Sequence, residues 1–231
     1  MLQNQTLSKL NQMRLAGMAN AYELTHKSRQ SAEMTNEELI AHLVEAEWDE
    51  RQNRKLQRLL KTAKFRYQSC TEDISFNKER NLDKNLFLRL AGCDYIEKKE
   101  NIIITGATGV GKSHIASALG NEACIRGYKT IYLNIGKLLG SLKMKRADGS
   151  YLKEIEKLER QDLLILDDFG LAQFDTQSRL DLLEIIEDRH GRKSTIMTSQ
   201  LPLNKWHEVI GDSTIADAIL DRLEIPTKTN Q

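Results

Sequence analysis

Helix-breaking residues are scarce in this chain. It contains two prolines, and neither glycine nor proline occurs from position 18 to position 91. Because these two residue types usually end helices, residues 1–68 are predicted to form an almost entirely helical domain. One helix is expected over about Thr6–Lys27. Thr35 and Glu38 have the spacing of a capping box, which predicts that a second, longer helix begins there.

Cysteine and long apolar runs are also scarce. The three cysteines, Cys70, Cys93 and Cys124, are widely spaced and form no C-x-x-C pair. This spacing argues against a disulfide framework or a zinc site and indicates reduced thiols in the protein core. No apolar stretch approaches the length of a membrane span, and the first residues lack the apolar region of a signal peptide. A cytoplasmic protein without a membrane partner is therefore expected.

The net charge is small, at +1 over 231 residues. A balance this even argues against a protein that coats DNA with a uniformly basic surface, so any surface for nucleic acid must be local. One local candidate is present, because residues 51–66 contain seven basic residues and no acidic one. On a helix its leucines face one side, and another side carries the predicted DNA-binding residues Arg51, Arg54, Lys55, Arg58 and Lys61. An acidic partner or an ordinary solvated helix face remains the alternative.

A glycine-rich motif stands between a strand pattern and a helix pattern. Residues 106–113 read GATGVGKS, which is G-x-x-x-x-G-K-[ST], after the apolar run Ile102–Ile104. Glycines let backbone N–H groups approach phosphate oxygens, Lys112 neutralises the β- and γ-phosphates, and Ser113 offers a hydroxyl to Mg²⁺. A glycine-rich turn without a ligand is the alternative, which the flanking strand and helix disfavour. The predicted ATP-binding residues are Gly106, Ala107, Thr108, Gly109, Val110, Gly111, Lys112 and Ser113.

A second motif ends in two carboxylates. The four apolar residues 163–166 suit a strand that is buried on both faces of a parallel sheet, and Asp167 and Asp168 follow directly. Ligands of open α/β sheets bind at the carboxyl ends of the strands, where these two side chains would lie. Asp167 is predicted to hold Mg²⁺, and Asp168 to polarise the water that attacks the γ-phosphate.

Two later segments carry weaker candidates for catalysis. Residues 194–200 form a strand pattern that ends in Ser199 and Gln200. Either side chain could orient the attacking water, with Gln200 preferred, although a polar turn is the alternative. Arg222 lies near the end of a helical pattern and could reach a neighbouring subunit's γ-phosphate or make a surface salt bridge.

Taken together, these motifs resemble the IstB-like ATPase helper proteins of bacterial insertion-sequence transposases, which are relatives of the helicase loaders in the AAA+ group. The resemblance covers nearly the whole chain and rests on four segments: GATGVGKSHIASALG at 106–120, LLILDDFG at 163–170, TSQLPLNKW at 198–206 and AILDRL at 218–223. It implies an α/β P-loop NTPase of the AAA+ type, with a mostly parallel sheet between helices and a helical N-terminal domain.

The resemblance also implies partners and residue roles. It implies an ATP-dependent oligomer that binds duplex DNA and stimulates a partner transposase. Arg222 becomes a candidate arginine finger, Ser199 or Gln200 the first sensor, and further DNA candidates are Lys143, Lys145 and Arg146. The residues themselves predict a helical DNA- or partner-binding domain over 1–68, a connector over 69–100 and an ATPase domain over 101–231. The end of the ATPase domain is expected to be shortened, because only eight residues follow the DRL segment. Asp168 is shorter than the glutamate common in AAA+ proteins.

Two other functions remain open at this stage. A helicase loader would use the same ATPase and dock the basic stretch on an acidic helicase surface. A small-molecule kinase would share the phosphate-binding motif, but the sequence carries no separate acceptor constellation, and the basic helical extension would be unexplained. Binding to duplex DNA without a helicase would favour the transposition helper.

Overall fold

The structure is a computed structural model that describes residues 2–28, 34–76, 82–171 and 173–223. It contains two compact units, Met1–Arg58 and Leu59–Gln231. The assignment of residues 1–68, 69–100 and 101–231 to three segments stays a prediction. The segment 224–231, where the sequence suggests a shortened end, lies outside the described residues.

The first unit is helical. Its described elements are α1 (Leu2–Gln12), α2 (Ala16–Lys27) and most of α3 (Asn36–Ala63). The prediction of one continuous helix over Thr6–Lys27 is wrong, because Arg14 adopts a left-handed backbone with φ 61°. The Leu15 N–H donates to Leu10 O and the Arg14 N–H to Asn11 O, which is the Schellman pattern that closes a helix. Arginine occupies the position where glycine usually signals such an ending.

The start of α3 is the capping box that the sequence predicts. The Glu38 N–H donates to Thr35 Oγ1 at 3.2 Å, and the Thr35 N–H donates to Glu38 Oε2 at 2.7 Å. Each side chain therefore satisfies a backbone donor that the first turn of a helix would leave unpaired.

Helices α2 and α3 approach each other closely at Gly17. A Cβ at this position would lie 2.3 Å from Ala46 O. The buried carboxylate of Glu47 accepts the Gly17 N–H at 2.9 Å and the Met18 N–H at 3.2 Å. Glu47 therefore supplies negative charge and hydrogen-bond acceptors to the N-terminus of α2.

The second unit contains a parallel sheet with the strand order β1-β4-β3-β2 in the described residues. The strands are β1 (Ile102–Thr105), β2 (Thr130–Asn134), β3 (Leu163–Phe169) and β4 (Ser194–Ser199). The helices after α3 are α4 (Lys84–Ala91), α5 (Asp94–Glu97), α6 (Lys112–Ile125), α7 (Ile135–Ala147), α8 (Tyr151–Glu159), α9 (Thr176–Arg189), α10 (Trp206–Ile210) and α11 (Ser213–Leu223). Because every pairing is parallel, the carboxyl ends of all four strands lie at one edge of the sheet.

The core lies on both faces of this sheet. On β3, Leu164 and Leu166 join the cluster formed with α7, α8, α9 and α11, while Leu163 and Ile165 join the cluster formed with α4, α5 and α6. All four side chains are completely buried. This explains the unbroken apolar run before Asp167, as predicted for a central parallel strand.

The segment before β1 supplies core side chains. Ile74 is buried in the second cluster, and the ring of Phe76 packs against that of Phe87 with centroids 5.5 Å apart. Cys93 and Cys124 are buried, and burial raises the pKa of each thiol to about 11. The prediction of three core thiols is wrong for Cys70, which is exposed. None of the helices in the described part of the chain combines the length and the apolar character needed to cross a membrane.

Candidate active site

The glycine-rich loop joins the carboxyl end of β1 to the N-terminus of α6. Gly109 and Gly111 have φ values of 83° and 93°, which glycine adopts at little cost. Gly111 directly precedes α6, so the free N–H groups of the first helical turn face the loop. The Lys112 ammonium donates to Gly106 O and Ala107 O, both at 2.8 Å. Hydrogen bonds thus hold Lys112 against the loop, around a site that suits an anion.

Asp167 is completely buried beside this loop. Its Oδ1 accepts a hydrogen bond from Ser113 Oγ at 2.8 Å and another from Thr198 Oγ1, and its Oδ2 accepts one from Tyr132 Oη. Burial and the bond to Asp167 raise the pKa of Tyr132 well above its usual value, so the phenol remains a proton donor. The adjacent hydroxyl of Ser113 and carboxylate of Asp167 are the hard oxygen ligands that suit Mg²⁺ when phosphates and water complete its shell.

Asp168, the next residue, lies at an irregularity in β3. Its φ is 65°, and the pairing of β3 with β4 shifts register between Leu166 and Phe169. The Asp168 N–H donates to Thr198 Oγ1 at 3.1 Å, and its Oδ2 accepts from Asn134 Nδ2 at 2.9 Å. A cleft of about 280 Å³ opens beside this carboxylate. Asp168 is therefore oriented by two neighbours and accessible from solvent.

Arg66 completes the cluster of charges. One terminal guanidinium nitrogen, Nη1, lies 3.1 Å from Asp168 Oδ2 and 3.4 Å from Asp167 Oδ2. Sequence reasoning missed this residue, as well as Tyr132, Asn134 and Thr198. Asn134 could have been found as a candidate, because a polar residue at the carboxyl end of β2 lies at the same edge of a parallel sheet as the end of β3.

The two sensor candidates occupy different positions at the end of β4. The Thr108 hydroxyl donates to Gln200 Oε1 at 2.7 Å, which brings Gln200 to the phosphate-binding loop. Ser199 is buried, where its hydroxyl donates to Phe169 O and accepts from the Leu201 N–H. Gln200 thus contacts the phosphate-binding loop, whereas Ser199 ties the ends of β3 and β4 together.

Arg222 is not brought to the phosphate-binding loop of its own chain. Its backbone carbonyl accepts from Asn101 Nδ2 at 3.1 Å, and Asn101 immediately precedes β1. Its guanidinium pairs with Glu187 at 2.8 Å and donates to Ala218 O. Arg222 therefore lies toward the amino end of β1, whereas the loop follows the carboxyl end.

The basic residues predicted to bind DNA fall into two groups. In the first unit, an open pocket of about 400 Å³ is lined by Arg14, Arg51, Arg54, Lys55 and Arg58. Arg14 was not predicted, and it arrives there because of the break between α1 and α2. Within this basic pocket, the Arg51 and Arg54 guanidinium groups lie 2.8 and 3.6 Å from Glu47 Oε1. Lys61 is exposed near the end of α3, in the second unit.

The second group lies on α7 and is paired internally. Lys145 forms an ion pair with Glu154, and Arg146 pairs with the buried Asp181 at 2.5 Å while stacking on the Tyr151 ring. Lys143 is exposed, and its ammonium lies 3.7 Å from Asp175. Most of the positive charge in this group is therefore balanced within the unit.

Comparison with known proteins decides the family. The model for IstB-like ATP binding proteins matches residues 8–228. The chain belongs to this family. A protein of Sinorhizobium fredii named as an insertion sequence ATP-binding protein is 47% identical over 223 residues, which cover 96% of this chain and 91% of the relative. A protein of Pseudomonas fluorescens named as the ATP-binding protein of insertion sequence IS1162 is 43% identical over 87% of this chain and 88% of its own.

A solved structure shows the same fold. The DnaC helicase loader matches 72% of this chain and 96% of its own with a TM-score of 0.59 and 20% identity. The predicted fold class, an AAA+ P-loop domain preceded by helices, is confirmed. The resemblance to the IstB-like family is confirmed as well. The chain is an ATPase of this family. The roles of single residues, Mg²⁺ and the partners stay predictions.

Proposed function

We propose that this IstB-like ATPase is a helper of transposition that assembles on duplex DNA in an ATP-dependent manner and stimulates a partner transposase. The observation that carries the proposal is the basic pocket of the first unit, which concentrates five cationic side chains on a chain that also carries an ATPase site. The relatives named as insertion sequence proteins support the transposition context.

In the ATPase unit, the proposed reaction is hydrolysis of the γ-phosphate. Lys112 would exchange its two loop carbonyls for phosphate oxygens, and Ser113 and Asp167 would hold Mg²⁺. When bound, Mg²⁺ would neutralise charge that develops on the phosphates. Asp168 would accept the proton of the attacking water, while Asn134 fixes its carboxylate and Gln200 orients the water or the γ-phosphate.

In the first unit, the basic pocket is proposed to bind phosphates of the DNA backbone. Two of its arginines, Arg51 and Arg54, are about half exposed and are positioned by ion pairs with the buried carboxylate of Glu47. Arg14, Lys55 and Arg58 add positive charge on the same side. A pocket of this kind positions a protein on a duplex without reading its sequence.

The remaining basic candidates require further steps. Lys61 and Lys143 are exposed and could contact DNA directly. Lys145 and Arg146 would first have to leave Glu154 and Asp181, which costs the energy of partly buried ion pairs. Arg222 would act on a neighbouring subunit's nucleotide, and only after it had left Glu187. We therefore propose that the basic pocket is the main DNA contact. The proposed location is the cytoplasm.

The test is ATP-dependent binding to a fluorescently labelled plain duplex, followed by anisotropy and by the mass of the complex. Wild type should bind the duplex and form a large assembly when ATP is present, and Lys112→Ala should lose the ATP dependence. If wild type ignores duplex DNA at low salt, the transposition helper is overturned. The helicase-loader alternative would then be tested by binding to a replicative helicase.

A further inference from the structure

Arg66 is the one element of the charge cluster that neither the predicted motifs nor the proposed hydrolysis uses. It lies three residues beyond the end of α3, about 100 positions before the aspartates that it contacts. The same guanidinium nitrogen reaches Asp168 at 3.1 Å and Asp167 at 3.4 Å. A cation therefore already occupies the side of the site where both carboxylates converge.

The residues on both sides of Arg66 are anchored to α6. A Cβ at Gly120 would lie 2.5 Å from the Phe65 ring, so Phe65 packs directly on the helix backbone at this point. The Tyr67 ring meets the His114 ring with centroids 5.9 Å apart. Ser69 Oγ donates to His114 O at 3.0 Å. Because the flanking residues are held along the helix that begins the phosphate site, the position of Arg66 beside that site is built into the fold.

Lys112 does not compete for the same carboxylates. Its ammonium is bound to the carbonyls of Gly106 and Ala107, both at 2.8 Å. Asp167 has no solvent exposure, so its charge needs a partner inside the site. Arg66 provides that partner, and about half of its side chain remains exposed to solvent.

We propose that Arg66 is a γ-phosphate-binding residue that acts within its own chain. This inference rests on the proposed function of Asp167 as a ligand of Mg²⁺. If Asp167 held Mg²⁺, the guanidinium would be displaced from this carboxylate, and the anchored segment would keep Arg66 beside the site. The guanidinium would then exchange carboxylate oxygens for oxygens of the γ-phosphate. Arg66 thereby distinguishes ATP from ADP.

The test compares Mg²⁺-dependent binding of two fluorescent nucleotides, ADP and a β,γ-imido analogue of ATP, without DNA. Arg66→Ala and Arg66→Gln should bind the ATP analogue on the order of tenfold more weakly, which is the range of a charge-assisted hydrogen bond. Affinity for ADP should change by less than about threefold, and Arg66→Lys should recover part of the loss. Thermal melts of each variant establish that it is folded.

Arg126→Ala is the matched control, because Arg126 is equally exposed and pairs with Glu122 on the outer part of α6. It should leave both affinities unchanged. The inference would be overturned if the Arg66 variants lost affinity for the ATP analogue and for ADP equally. It would also be overturned if they bound both nucleotides more tightly, because Arg66 would then only compete with Mg²⁺. Failure of the role proposed for Asp167 would look different, since binding of the ATP analogue by wild type would then not depend on Mg²⁺.

Discussion

The second unit buries leucine, isoleucine and aromatic side chains on both faces of its sheet, whereas the buried apolar residues described in the first unit are Leu10, Ala19 and Ala21. The first unit instead relies on polar contacts, chiefly those that Glu47 makes with the start of α2. It also exposes more than half of the side chains of Ile40, Val44 and Trp48, which recur every four residues on α3. The ATPase unit has the apolar core that independent stability requires, while the first unit has little.

This difference suggests that the two units have different functions. Catalysis needs side chains held within a fraction of an ångström, and the two-sided core of the second unit provides that rigidity. A surface that follows a DNA backbone needs charge more than rigidity, and a lightly packed helical unit is sufficient. The following experiments test whether the two units can be impaired separately.

The largest effect is expected for Asp168→Asn. Loss of the base should reduce ATP turnover by roughly 10²- to 10⁴-fold, because positioned proton transfer contributes on this scale. Nucleotide affinity and binding to duplex DNA should remain close to wild type, since neither Lys112 nor the basic pocket is changed. Turnover by phosphate release and DNA affinity by anisotropy should be measured on the same preparation. Undiminished turnover would exclude Asp168 as the base.

The reciprocal change is Arg14→Ala combined with Lys55→Ala in the basic pocket. Duplex affinity should fall by roughly tenfold or more at moderate salt, and the slope of log affinity against log salt should decrease by about 2. ATP turnover without DNA should not change. Lys27→Ala is the control, because Lys27 is a basic residue on α2 that pairs with Glu23 outside the pocket. A control that weakens binding equally would mean that the effect is only one of net charge.

A smaller effect is expected from the contact between α2 and α3. Gly17→Ala should destabilise the first unit by about 1–3 kcal/mol, because the new methyl group collides with the backbone at Ala46. Gly140→Ala in α7 has open space around the new methyl group and should be neutral or stabilise the second unit by up to about 1 kcal/mol. Hydrogen exchange of the two units separates these outcomes. Equal effects of both substitutions would contradict the packing described at Gly17.

The smallest effect concerns thiol reactivity. In the native protein at pH 8, iodoacetamide should modify Cys70 and spare Cys93 and Cys124, which are buried with pKa values of about 11. Both thiols are mostly protonated at this pH, and their modification should increase as pH rises toward 11. Denatured protein should react at all three positions, as mass spectrometry of the peptides would reveal. Rapid native modification of Cys124 would indicate that the core of the second unit opens easily.

The features that were predicted from the sequence are determined by residues that lie close together in the chain. The capping box of Thr35, the phosphate loop up to Ser113 and the two carboxylates near the end of β3 each follow from a short pattern and the strand or helix around it. Arg66 and Tyr132 could not be found in this way, because they meet Asp167 only after the sheet and the segment before it have folded. The break at Arg14 was missed because no glycine marks it.

The left-handed backbone at Asp168 restricts which residues this position tolerates. Aspartate and asparagine adopt positive φ far more readily than longer or branched side chains do, because their short polar groups interact with the local backbone. The proposed chemistry requires a carboxylate at this position, and the left-handed backbone favours a short side chain. Aspartate satisfies both, whereas glutamate would add a conformational cost. For the same reason asparagine is a cleaner replacement than alanine, since it removes the charge and tolerates the left-handed backbone.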